Sequence, residues 1–70
     1  MMSEALPVLI ENAIQIAWDC LARTGELGDA ATASRFLHRT IEAMVRNGER
    51  RQLLLSNRAI DAWRSHQRTD

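Results

Sequence analysis

Seventy residues form one domain at most, and a chain of this length buries only about 60% of the surface its unfolded form exposes. Hydrophobic residues make up 46% and charged residues 26%, with nine basic and nine acidic side chains balancing to zero net charge, which excludes a disordered acidic or polybasic chain. A single cysteine, Cys20, excludes an intramolecular disulfide scaffold and fits a reducing cytoplasm.

The segment from Met1 to Pro7 has an acid at Glu4 and no base ahead of its apolar stretch, the wrong polarity for a signal peptide. A first helix is predicted from about 6 to 24, with Pro7 tolerated in its first turn and Gly25 placed as the left-handed stop. Glu11, Asn12, Gln15 and Asp19 interrupt its apolar residues, so no membrane span is expected. On a helical wheel the apolar residues of this helix spread over an arc of about 200°. Such an arc is too wide for one partner. The helix must sit between two others or lend an edge, with Leu9, Ile16 and Trp18 the candidate residues, to another subunit. Cys20 falls inside the arc and reads as a small buried hydrophobe.

Thr24-Gly25-Glu26-Leu27-Gly28-Asp29 forms the next turn. A second helix is predicted from about 29 to 47, opened by Asp29 as N-cap and closed by Asn47-Gly48. Ala33, Phe36, Leu37, Ile41, Met44 and Val45 face inward, and Arg35, Arg39, Glu42 and Arg46 make a polar stripe opposite. A third helix is predicted from about 49 to 67. Ser56 offers an alternative N-cap, but the spacing of Leu53, Ser56, Ile60 and Trp63 favours the longer helix. Leu53, Leu55, Ala59, Ile60 and Trp63 share its buried face, and Leu54 is the off-pattern residue, directed away among Asn57, Arg58 and Asp61. Buried indoles at Trp18 and Trp63 require an acceptor for their N–H groups.

These elements specify an all-α, three-helix domain spanning 1–70, in which helices two and three form an antiparallel αα-hairpin packed on the apolar first helix.

All nine basic residues are arginines, a usage that fits a GC-rich bacterial genome. They are unevenly placed. Met1 to Ser34 holds one arginine against five acids, net −4, and Arg35 to Arg68 holds eight against three, net +5. Such segregation points to complementary packing or to nucleic acid. Arg46, Arg50, Arg51, Arg58 and Arg64 are the candidate basic surface for the second reading.

Catalytic patterns are absent from the sequence. It holds no Gly-rich phosphate loop, zinc-finger spacing or nucleophile elbow. His38 and Glu42, one helical turn apart, supply at most half a metal site, so no enzyme activity, cofactor or metal is expected. The expectation is a cytoplasmic helical interaction or adaptor module that forms a homodimer, with Leu9, Ile16, Trp18 and Leu54 at the interface. Nucleic-acid binding through the arginine-rich half is the alternative.

Overall fold

The computed structural model describes residues 6–68, which form three helices: α1 (Leu6–Arg23), α2 (Ala30–Arg46) and α3 (Gln52–Arg68). Each helix packs against both others, so the architecture is the expected all-α three-helix domain. The indole of Trp63 donates to the backbone carbonyl of Glu26 at 2.9 Å, which places the C-terminal half of α3 beside the α1–α2 turn. α2 therefore runs antiparallel to its neighbours, and the first turns of α1 and α3 lie together at the opposite end, beside the α2–α3 turn.

Two helix ends are built from the glycines that the sequence marked. After α1, the amide of Glu26 donates to Leu21 O and that of Gly25 to Ala22 O, the paired bonds of a Schellman closure, with Gly25 at φ +75°. After α2, Glu49 donates to Met44 O and Gly48 to Val45 O, with Gly48 at φ +103°. Asp29 caps α2 as predicted, accepting from the amide of Thr32 at 3.0 Å. Hydrogen bonding by Thr32, first from its hydroxyl and then from its amide, holds the Asp29 carboxyl below its usual pKa.

The start of α3 departs from the prediction. It opens at Gln52, three residues beyond Glu49 and four before Ser56. The cause is Glu49. Its amide closes α2, and its carboxylate accepts from the amides of Arg50 and Arg51 at 3.2 and 3.0 Å, so these residues form the turn instead of the first helical coil. Ser56 is fully buried, and its hydroxyl donates to Leu53 O at 2.9 Å, a bond internal to the helix that satisfies it without a cap.

The core is a layer of small and large side chains. Leu9, Ala13, Ala17 and Leu21 of α1 recur at every fourth position and are buried against Ala33, Leu37, Ile41 and Val45 of α2 and Leu55, Ala59, Ile60 and Trp63 of α3. On α1 the alanines at the middle of the seam admit the neighbouring backbones closely, and leucines fill its ends. Ile10, Ile14, Trp18 and Cys20 flank the α1 seam, half-buried and packed on this core. The wide apolar arc of α1 is thus mostly covered within one chain, because α1 has two neighbours rather than one.

Candidate functional site

The expected interface residues divide by depth. Leu9 is only 4% exposed and belongs to the core, a correction to its assignment as an interface residue. It heads the series Leu9-Ala13-Ala17-Leu21 that faces both other helices. Ile16 and Trp18 are half-buried at the two margins of that seam, and Trp18 packs on the core. On α3 the expectation for adjacent leucines is reversed. Leu54 is half-buried, whereas Leu53, assigned to the buried face, is 67% exposed and is the outlying residue. Leu53 lies in the first turn of α3, at the margin of the bundle, so helical periodicity alone does not guarantee it a neighbour. Leu6 at 42% and Val8 at 49% are exposed in the first turn of α1, at the same end of the molecule. These three are the exposed large apolar side chains among the described residues, each in the first turn of its helix at this end of the bundle.

The candidate basic surface also divides. Arg64 grips Glu26 as a fork, with Nε 3.1 Å from both carboxylate oxygens and an Nη 2.8 Å from Oε1. This pair holds the Glu26 carboxyl below the ordinary range, with the Thr24 hydroxyl adding a 2.7 Å bond. Arg51 pairs with Glu49 at 3.0 Å. That contact, with the amides of Arg51 and Arg50, lowers the Glu49 pKa to about 2. Arg50 reaches back to Val45 O at 2.6 Å and to Glu49 O at 3.0 Å, satisfying a terminal carbonyl of α2. Arg50, Arg51 and Arg64 thus have hydrogen-bond partners within the chain, although the Arg51 side chain remains 78% exposed. Arg46 and Arg58 are exposed and make no hydrogen bond or ion pair among the described residues.

Part of the charge segregation read from the sequence is consumed inside the molecule, since Glu26 of the acidic half meets Arg64 of the basic half. Sequence reasoning missed this pair because the contact spans 38 residues. It also missed the aromatic group at this end. Phe36 meets Trp63 edge-on with ring centres 5.2 Å apart, and His66 lies 4.9 Å from Phe36 and 5.5 Å from Trp63.

His38 and Glu42 stand 3.6 Å apart on the exposed side of α2. No group of three or more His, Cys, Asp or Glu side chains able to hold a metal occurs among the described residues. A depression open to solvent, lined by Glu11, Asn12, Ile14, Gln15 and His38, separates α1 from α2. It brings no nucleophile together with an activating base. No helix among the described residues is long and apolar enough to cross a membrane.

Fold and surface together define a small all-α domain of three mutually packed helices. In comparisons with known proteins, the chain matches no family model, no curated protein and no solved structure.

Proposed function

We propose that this chain is a cytoplasmic helical interaction module rather than an enzyme, and that it self-associates through the end of the bundle formed by the first turns of α1 and α3. The observation that carries the reading is that Leu6, Val8 and Leu53, the exposed large apolar side chains among the described residues, all lie in the helix turns at that end. A second copy is the favoured occupant because a domain this small gains stability by burying apolar surface on a partner. The half-buried thiol of Cys20 suits a reducing compartment.

The size of the patch sets the strength of the association. A standard interface buries about 800 Å² per partner, and three partly exposed side chains supply only a fraction of that. Self-association is accordingly weak and concentration-dependent.

Sedimentation equilibrium over a range of protein concentrations tests this. The expected result is a mass that rises from one chain of 7.9 kDa toward two, and a Leu53→Ser variant that stays monomeric while melting within a few degrees of the parent. A single-chain mass at every concentration, or an unchanged association in Leu53→Ser, would overturn it.

A further inference from the structure

The geometry points to a second surface, on the outer face of α2, that binds the phosphate backbone of nucleic acid through Arg35, Arg39 and Arg46. At 100° per residue these three positions fall within about 40° of one another, on the side of α2 opposite Leu37 and Ile41. Their spacing along the axis is about 6 Å and then about 10 Å, a straight row across about three turns. All three are exposed, and none makes a hydrogen bond or ion pair among the described residues. Two acids lie beside the row and offset part of its charge. Asp29 exerts a weak attraction on Arg35 but is held as the N-cap by Thr32. Glu42, the one acid within the row, stands 3.6 Å from His38.

Zero net charge conceals this row. Glu26 and Glu49 are spent on Arg64 and Arg51, so the chain is neutral as a whole and locally positive on α2. The partner is identified by what the row lacks. Protein interfaces draw their affinity from buried apolar anchors, and the exposed large apolar residues lie at the other surface, on α1 and α3. Phosphate binding needs no anchor. It rests on cations in line and on the counterions they release, and guanidinium forks match phosphate oxygens. This surface differs from the arginine set read from the sequence, with which it shares only Arg46. It is also independent of self-association through Leu53.

The test is a fluorescence-anisotropy titration of labelled mixed-sequence duplex DNA with the full chain across a salt series. Three phosphate contacts give a slope of log K against log salt of about −2.7. Arg39→Gln is expected to make that slope shallower by about 1, and Arg51→Gln to leave it unchanged. The triple change of Arg35, Arg39 and Arg46 to Gln is expected to abolish binding while far-UV circular dichroism stays helical, since glutamine is a good helix former. The single variant keeps the slope readable should the triple variant unfold. No binding at low salt overturns the proposal, as does affinity retained by a folded triple variant. Binding of polyglutamate in place of DNA would also overturn it and assign the row to an acidic protein.

Discussion

Trp63 joins parts of the chain 37 residues apart, and its two roles are separable. Its ring is 2% exposed and meets Phe36, while its N–H satisfies Glu26 O. Replacing it with phenylalanine removes the donor and leaves a smaller ring, so Trp63→Phe is expected to cost about 2 kcal/mol in urea unfolding. Trp18, half-buried at the margin, is expected to cost less than about 1 kcal/mol on the same change. Equal losses at the two positions would contradict this division of roles. That a buried tryptophan would need an acceptor was legible in the sequence; that the acceptor is a loop carbonyl was not, because nothing local in sequence links residues 26 and 63.

Helix ends behave as elements in their own right. Gly25 and Gly48 occupy left-handed backbone in the two Schellman closures, and a Cβ at either would touch nothing within 4 Å. The cost of alanine there is purely conformational, about 1 kcal/mol, which lowers the melting temperature of a domain this size by about 4–8 °C. Thermal melts of Gly25→Ala and Gly48→Ala check this, and an unchanged melting temperature would refute it. These closures were readable because glycine at the left-handed position is a local requirement. The start of α3 was not, because Glu49 serves two helices at once and its carboxylate settles on the turn.

At the scale of the whole molecule, three carboxylates with lowered pKa values sit at the joints: Glu26 on Arg64, Asp29 at the α2 N-cap and Glu49 on the α2–α3 turn. Each is held more strongly ionised in the folded state than in the unfolded chain. The stability they contribute is therefore complete above about pH 4.5 and is lost as pH falls through the folded values, about 2 for Glu49. Thermal melts are expected to be nearly flat from pH 7 to 5 and to fall progressively below that. Glu49→Gln is expected to reduce the acid dependence while lowering stability at neutral pH. A melting temperature independent of pH down to 2 would contradict the placement of these groups.

By itself the sequence determined the three helices, their glycine and Asp29 boundaries, the antiparallel hairpin and most of the core. Those follow from local backbone requirements and from 3.6-residue periodicity. Only the tertiary structure decided which surfaces remain free. Leu9 enters the core and Leu53 leaves it because exposure depends on where neighbouring helices end, which a single helical wheel does not contain. Arg50, Arg51 and Arg64 are taken up by carbonyls and carboxylates, leaving Arg35, Arg39 and Arg46 as a row on α2, because charges pair by distance in space and the chain fixes only their order.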